Sequence, residues 1–568
     1  MPNPRRIWLA YALLLLIAFG FRLFVALHLP NDTPDDGRTY SQIARNVLEQ
    51  HVYSHAEAPP YDPSLIRLPG YPLFLATIYS IFGHTNNTAV RIVQALIDTA
   101  TCLLIALVAF LWAPDEMRKH TSSIAALALA AVCPFTTIYV STILTEVPTN
   151  FLAVAMCLAA TLAFQASSRK RSLSMWAAAG LIAGGAVLFR PDSGLFAAAV
   201  GITIVTSGLV SATSEPSSSN LSWGKQKIFG ALSKAVYPAA VFSVAFCLIL
   251  VPWTIRNRRV FHLFQPLAPA HGEMPGEFVP RGYSLWLRTW LDDGRYIGPV
   301  LWSLDTSPIK IGYFPDRAFD SKTERDRVAA LLEKYNHPPD DEQSSPGEVV
   351  SQPTPVPQAS AEAKPQENAT PVASPSGEAS DQGDEPDEGD QDDEQDSQGN
   401  AAATPEEQNV EMTAEIDAGF AEIARERIAR SRFRFYVQLP MNRAISLWFD
   451  THSQYYPFEG ELLPLEDLDY EIHQQFWLPL FTFLTLVFTL LGLAGGWLLW
   501  RTRTFAASRW VILAGLIIFL RLGFFSTLEN PEPRYTVEIF PFLSTLGGVA
   551  IGQIIGLIKT RKSISASD

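Results

Sequence analysis

The chain has 568 residues, 48% of them hydrophobic, and a formal charge of −14. Its apolar residues gather into runs about as long as the ~20-residue hydrocarbon span of a bilayer, which excludes an ordinary soluble domain and marks a polytopic membrane protein. The acidity is local: residues 338–412 hold twenty Asp and Glu against one Lys, a net of −19, so the remainder stands at +5.

The four cysteines (Cys102, Cys133, Cys157, Cys247) fall inside apolar runs without paired spacing, so neither a disulfide framework nor a zinc site is suggested.

In chain order, the run 7–27 is longer than a signal-peptide core and lacks a small-residue cleavage pattern, so it reads as a retained first span with Arg5 and Arg6 on the cytoplasmic side. Just beyond it, Asn31-Asp-Thr-Pro-Asp35-Asp36-Gly37 is an acidic stretch that topology assigns to the outer face. The segment 71–82 is apolar but short and Pro-flanked, which suits a re-entrant or interfacial helix. Further spans are predicted at 88–112, 121–140, 143–165, 174–190, 192–211, 235–253, 476–500, 508–528 and 536–558, ten in all. This threading places Arg118 and Lys119, Arg169 to Arg171, Lys225 and Lys227, Arg501 and Arg503, and Arg561 and Lys562 on the same side as Arg5 and Arg6. Every inner loop is then basic, as the positive-inside rule requires.

The outer side receives a loop at 28–87, short turns near 141 and 191, a long segment at 254–475 and a last turn at 529–535. Residues 338–412, rich in Pro, Gln, Ser, Asp and Glu, cannot bury enough apolar surface to offset chain entropy and read as a disordered insert. Ala414 to Ile428 is helix-prone, and Arg432 to Phe449 reads as a helix lying at the interface, with Arg434 and Arg443 snorkelling. His28, His55, His84, His271 and His452 show no ligand spacing and read as surface histidines. Trp286, Trp290, Trp302 and Trp448 read as interfacial aromatics. The pairs Gly184-Gly185 and Gly495-Gly496 mark close helix contacts. No nucleotide-binding loop is present, and no nucleic-acid partner is implied.

Ionisable side chains at span ends gather on one side. Glu146, Arg190, Asp192, Arg256, Arg521 and Arg534, with Asp35, Asp36 and Arg67 of the first loop, are placed by topology around one outer-face cavity. Guanidinium forks match phosphate oxygens and a carboxylate can take a proton from an attacking hydroxyl, so the set suits transfer of a group carried on a lipid phosphate. The plainer alternative is that they pair structurally, Arg190 with Asp192 and Arg22 with Asp98.

Asp36-Gly-Arg-Thr-Tyr40-Ser-Gln-Ile-Ala44, Arg67-Leu-Pro-Gly-Tyr-Pro72, Phe82-Gly83 and Arg91, followed by Thr145-Glu146-Val-Pro148, Phe189-Arg-Pro191, Pro252-Trp-Thr-Ile-Arg-Asn257 and Pro533-Arg-Tyr535, resemble the GT-C membrane glycosyltransferases. The likeness is closest to the branch containing protein mannosyltransferases and lipid A aminoarabinose transferases, and it covers residues 1–260 and 476–558. It implies an all-α GT-C bundle, a polyprenyl-phosphate sugar as donor, a glycolipid, glycan or protein acceptor, and an inverting displacement. It further implies Asp36 as general base, Asp35 second, and Glu146 as an orienting group. Arg67, Arg256 and Arg534, with Arg190, would hold the departing phosphate, and Tyr40 and Tyr535 would be substrate contacts. Relatives in the aminoarabinose branch carry Lys-Pro-Pro where this chain has Arg67-Leu-Pro-Gly. No cofactor or metal site is indicated beyond the donor itself, and whether a divalent ion takes part stays open.

The domain reading is a catalytic membrane module at 1–260, an outer segment at 261–337, the insert, outer and interfacial helices at 413–475, and C-terminal spans at 476–568. The localisation that follows is a bacterial inner membrane with an outward-facing site. A lipid-linked glycan polymerase or ligase would handle a similar donor on the same side. A transporter would instead place its charges near the bilayer midplane between internal repeats.

Overall fold

The computed structural model describes residues 4–29, 35–213, 225–338, 410–456, 458, 462 and 472–564, and among them the regular structure is helical, with no strand. The helices are α1 (Pro4–His28), α2 (Asp35–Glu49), α3 (Gly70–Phe82), α4 (Asn87–Trp112), α5 (Lys119–Ala131), α6 (Pro134–Thr137), α7 (Glu146–Gln165), α8 (Arg169–Phe189) and α9 (Gly194–Thr213). They continue with α10 (Lys225–Phe261), α11 (Arg281–Arg288), α12 (Lys322–Asn336), α13 (Ala414–Arg430), α14 (Leu439–Phe449), α15 (Ile472–Arg501), α16 (Phe505–Phe525) and α17 (Phe540–Ile564). Nine helices among the described residues are long and apolar enough to cross a membrane, or ten if the bent pair at 116–140 is one span. The chain is an integral, multi-pass membrane protein.

The third predicted span is broken. Cys133-Pro134 interrupts it because the proline ring cannot continue the preceding helix, and the two pieces bend by 53°. The break leaves the last carbonyls of α5 without intrahelical partners. Arg22, buried in α1, donates to the carbonyls of Ala130 at 3.0 Å and Ala131 at 3.1 Å, and its Nε meets Asp98 of α4 at 2.6 Å. This pair is structural: it seals a helix end inside the bundle.

Small residues set how closely the spans pack. Van der Waals contact rather than hydrophobic exclusion drives association in lipid, so backbones must approach. A Cβ added to Gly184 would lie 2.6 Å from the carbonyl oxygen of Phe246 in α10, and one on Gly495 would lie 2.0 Å from that of Leu546 in α17. Gly185 and Gly496, their chain neighbours, face open space. Each predicted glycine pair therefore holds one close contact and one bystander.

The loop before α5 meets the end of α17. Arg118 donates to the side-chain carbonyl of Gln553 near the end of α17 at 2.7 Å. The opposite end of the bundle carries α2, the starts of α7 and α17, and the ends of α8 and α16. Short α3 stays there, packed on α2, α4 and α8.

The long segment after α10 builds its own core. Tyr283, Trp286 and Trp290 of α11 and its following turn pack with Phe314, Val328 and Leu332 of α12, and Phe420 and Ile423 of α13. Trp286 and Trp290 are thus fully buried rather than interfacial; alternation of aromatics along one helical face supplied a core, not a belt. Trp302 stays half exposed, and Trp448 donates to Thr489 at 3.0 Å. The predicted insert falls outside the described residues except at its edges. Its last residues are ordered, because Val410 and Met412 are buried in this core and the Met412 amide donates to Asp305 at 2.9 Å.

Arg434 is partly exposed and pairs with Asp320 at 2.7 Å. Arg443 departs from the snorkelling expectation: it is buried and donates to the carbonyls of Leu291 and Arg288 at 2.6 Å each, pinning α14 to the end of α11. Phe433, Tyr436, Met441 and Ile445 form the exposed apolar face expected of an interfacial helix.

Candidate active site

The side chains singled out along 500 residues of sequence do meet, but in two groups with different chemistry. The first is centred on Asp36, in the opening turn of α2. Its Oδ1 accepts from Arg67 Nη2 at 2.8 Å and its Oδ2 from Arg534 Nη2 at 3.4 Å. Burial pushes the carboxyl up, but the guanidinium groups of Arg534 and Arg67 outweigh it and hold the group below the ordinary aspartate value. Asp36 is therefore ionised across the physiological range. Asp35 is excluded from this arrangement: its side chain is 99% exposed, beside Arg38 at 3.6 Å, and faces solvent.

Tyr40 stands one turn further along α2, with its ring edge-on to Tyr71 at 5.1 Å and Arg67 above it. Burial and the neighbouring Asp36 push its hydroxyl up to about 12, so it stays a neutral hydrogen-bonding group. Arg534 rides on a tight turn at 533–539. Its Nε is held by Glu532, whose carboxylate also accepts from the Tyr535 hydroxyl at 3.0 Å. Glu532 thereby aims the remaining face of Arg534 at Asp36.

Arg256 is not brought to Asp36. Its Nη1 donates to the Ser64 carbonyl at 2.7 Å and its Nη2 to the Tyr53 carbonyl at 3.4 Å, and its guanidinium lies over Trp253. It ties the end of α10 to the first loop. The link to the site runs through Tyr53, whose hydroxyl donates to the Arg67 carbonyl at 3.0 Å.

The second group is buried between span ends. Arg190 meets Glu146 at 2.6 Å, Asp192 at 3.1 Å and Glu538 at 3.7 Å. Arg521 meets Glu538 at 2.6 Å and Asp192 at 2.8 Å, and donates to the Tyr535 carbonyl at 2.6 Å. Three carboxylates thus enclose two guanidiniums. Glu146 and Arg190 are members of this network, so the structural pairing weighed for Arg190 and Asp192 is realised and extended. Tyr535 joins the two groups: Arg190 lies 5.5 Å and Arg534 5.4 Å from its ring, and Phe525 stacks on it at 4.4 Å.

Glu532 and Glu538 were not singled out by sequence. The signal for Glu538 was available, since it is a carboxylate at the mouth of an apolar span and such residues are expected to be paired or functional. His452 is a further departure. It is buried, Nδ1 lying 3.1 Å from Thr536 Oγ1, with the rings of Phe135 and Phe540 edge-on to it. Among the described residues, no group of three or more His, Cys, Asp or Glu is arranged to hold a metal ion.

Two cavities of similar size lie in the segments around the site. One, of about 400 Å³, is lined by Arg534 and Glu532 together with residues 293–302 and 450–455. The other, of about 410 Å³, is lined by Leu65, Leu263, Pro269, Met274 and Val279 together with Gln265, Glu273, Glu277 and Arg281. Gly272, in the same loop, passes so close to the site that an added Cβ would sit 3.1 Å from Arg67 Nη1. Both volumes fall in the ~300–1,000 Å³ range of small-ligand sites.

Residues 62–217 match the model of the dolichyl-phosphate-mannose-protein mannosyltransferase family. That stretch is 156 of the 568 residues, so the similarity is to one part of the chain. The match runs from the first loop, through Arg67 and Glu146, to just past α9, and covers the resemblance read from the motifs there. No curated protein matches the chain. Among solved structures, the Archaeoglobus fulgidus oligosaccharyltransferase tethered to an acceptor peptide is 12% identical at a TM-score of 0.44, covering 97% of this chain and 49% of that one. ArnT from Cupriavidus metallidurans, bound to undecaprenyl phosphate, is 12% identical at a TM-score of 0.33, covering 97% of this chain and 79% of that one. The chain spans about half the length of the archaeal enzyme. Likenesses this distant carry no argument about substrate.

Proposed function

We propose that the protein moves a sugar from a polyprenyl-phosphate donor to an acceptor hydroxyl or amine at the outer face of the membrane, with inversion at the anomeric carbon. The observation that carries this is the position of Asp36, ionised and held between two arginines, one of which, Arg534, borders a cavity of about 400 Å³. A donor phosphate would draw the Arg67 guanidinium from Asp36, and the cavity at Arg534 would receive the acceptor.

In the reaction, the acceptor oxygen or nitrogen bonds to C1 of the sugar as the C1–O bond to phosphate breaks. The electron pair stays on the phosphate oxygen, where Arg67 offsets the charge, and the acceptor proton passes to Asp36. A carboxylate with a depressed pKa is a weak base, so proton transfer follows the growth of positive charge on the attacking atom rather than preceding it. Asp35, fully exposed, takes no part. Glu146 and Arg190 act from the buried network by fixing Tyr535. Arg256 shapes the first loop. No metal ion is required by this scheme.

The outward placement rests on the basic loops at the far end of the bundle. Inverted vesicles and intact spheroplasts carrying a polyprenyl-phosphate sugar separate the alternatives. Asp36→Asn, which preserves shape, is expected to insert normally and lose about 10²–10⁴-fold in transfer, the contribution of a general base. Turnover within threefold of wild type, roughly the scatter of such assays, would sink the base assignment. A cysteine at position 380 is expected to react with an impermeant reagent from outside; protection there would reverse the orientation.

A further inference from the structure

The cavity on the Arg534 side has a chemistry that narrows the acceptor. Apart from two glycines, its lining contains only Ile297 and Pro533 as aliphatic residues; the rest is aromatic, amide, hydroxyl, carboxylate or guanidinium. What the lining offers is planar, multivalent hydrogen-bonding groups from Asp450, Gln454, Glu532 and Arg534, with one broad aromatic face. That face is Trp302, 51% exposed and seated over Gly298, where an added Cβ would touch the indole at 3.9 Å. A half-exposed tryptophan in a cavity wall is costly to leave in water and is used where one face of a ligand is apolar.

The loop opposite is rigid. The Tyr139 hydroxyl donates to the His452 carbonyl at 2.7 Å, the Tyr455 amide donates to Ser453 Oγ at 3.1 Å, and His452 is buried beneath. Preorganised polar groups facing an aromatic plate match a pyranose ring, whose C–H face is apolar and whose rim carries hydroxyls that bind carboxylates and amides two at a time. The charged lining is Asp293, Asp450 and Glu532 against Arg295 and Arg534, one negative charge in excess, which disfavours an anionic ligand. Among the described residues there is also no strand edge to take an extended peptide.

We infer that this cavity is the acceptor subsite and that the acceptor is an uncharged or amino-bearing sugar, stacked on Trp302 with a hydroxyl directed past Arg534 to Asp36. The inference rests on the glycosyl-transfer reading and adds the acceptor class to it.

The test uses the full chain in detergent with cellobiose and chitobiose as neutral saccharide probes and the amide of Ala-Thr-Ala-Ser-Ala as a peptide probe, followed by saturation-transfer NMR. At least one saccharide is expected to bind, Trp302→Ala to weaken it about tenfold and Trp302→Phe to retain most of it. Trp302 is half exposed, so both variants are expected to fold, and an unchanged melting curve confirms it. Peptide binding that depends on Trp302, saccharide binding indifferent to Trp302→Ala, or no saccharide binding by folded wild type would each overturn the acceptor assignment. Release of sugar from a polyprenyl-phosphate donor to water is read separately. It is measured on wild type and Asp36→Asn, and its absence in wild type counts against the transfer chemistry and leaves the saccharide result standing.

Discussion

Arg521 offers the sharpest test of the buried network, because it touches no cavity and yet supports the turn that carries Arg534. Its side chain is 0% exposed and lies 2.6 Å from Glu538 and 2.8 Å from Asp192. Arg521→Met fills similar volume without the charge. Glu146, Asp192 and Glu538 are then left with Arg190 alone. Removing one partner of a buried ion pair costs ~3–5 kcal/mol, because an uncompensated charge stays in a low-dielectric site. The exposed pair Arg38–Asp35 is the internal control: both side chains are open to water at 3.6 Å, and Arg38→Ala is expected to change stability by ~0.5 kcal/mol or less.

Thermal unfolding can be followed with a thiol-reactive dye, since Cys102, Cys133 and Cys157 are buried and become reactive as the bundle opens. Arg521→Met should melt well below wild type and Arg38→Ala should coincide with it. Adding Glu538→Gln to Arg521→Met restores two carboxylates facing one arginine, and the double variant should recover ~1–3 kcal/mol of the loss, the usual coupling between direct neighbours. Because Arg521 Nε also holds the Tyr535 carbonyl at 2.6 Å, sugar transfer should fall with stability. If Arg521→Met melts with Arg38→Ala, or the double variant is no better than the single, the network is not the brace described here.

Further outcomes follow from other parts of the structure. Gly495→Ala should lower the melting midpoint, by ~1–3 kcal/mol of overpacking, because its Cβ would meet the Leu546 carbonyl at 2.0 Å, whereas Gly496→Ala should be neutral. Burial pushes the His452 imidazole down to about 3, against 6.5 when solvated, so unfolding takes up a proton between those values. Stability supplied by the neutral ring is complete above pH ~6.5 and lost as pH falls toward 3, at most ~1.4 kcal/mol per unit. His452→Gln should therefore flatten the melting-point decline between pH 6.5 and 4 relative to wild type, and an unchanged slope would refute the burial. Finally, the Glu411 amide approaches the Tyr335 carbonyl at 3.4 Å, so the two ends of the acidic insert lie side by side. Replacing residues 340–409 by a short Gly-Ser linker should leave melting and transfer near wild type; lost transfer with intact melting would tie the insert to the chemistry.

The sequence alone determined how the chain threads a membrane. Hydropathy is a sum over ~20 neighbouring residues, so the spans and the clustering of Asp36, Arg67, Glu146, Arg190 and Arg534 at one end could be read without contacts. Ranking Asp36 above Asp35 came from the motif, and the fold supplied the reason: residues adjacent in a helix point about 100° apart, so one carboxylate meets two arginines while the other meets water. What only tertiary structure decided was partnership. Whether Arg190 faces a cavity or three carboxylates, whether Arg256 joins Asp36 or ties down a loop, and whether Trp286 and Arg443 lie at an interface or inside a core all depend on helices distant in sequence. Glu532 and Glu538 matter for the same reason: nothing in their local sequence states which arginine each one holds.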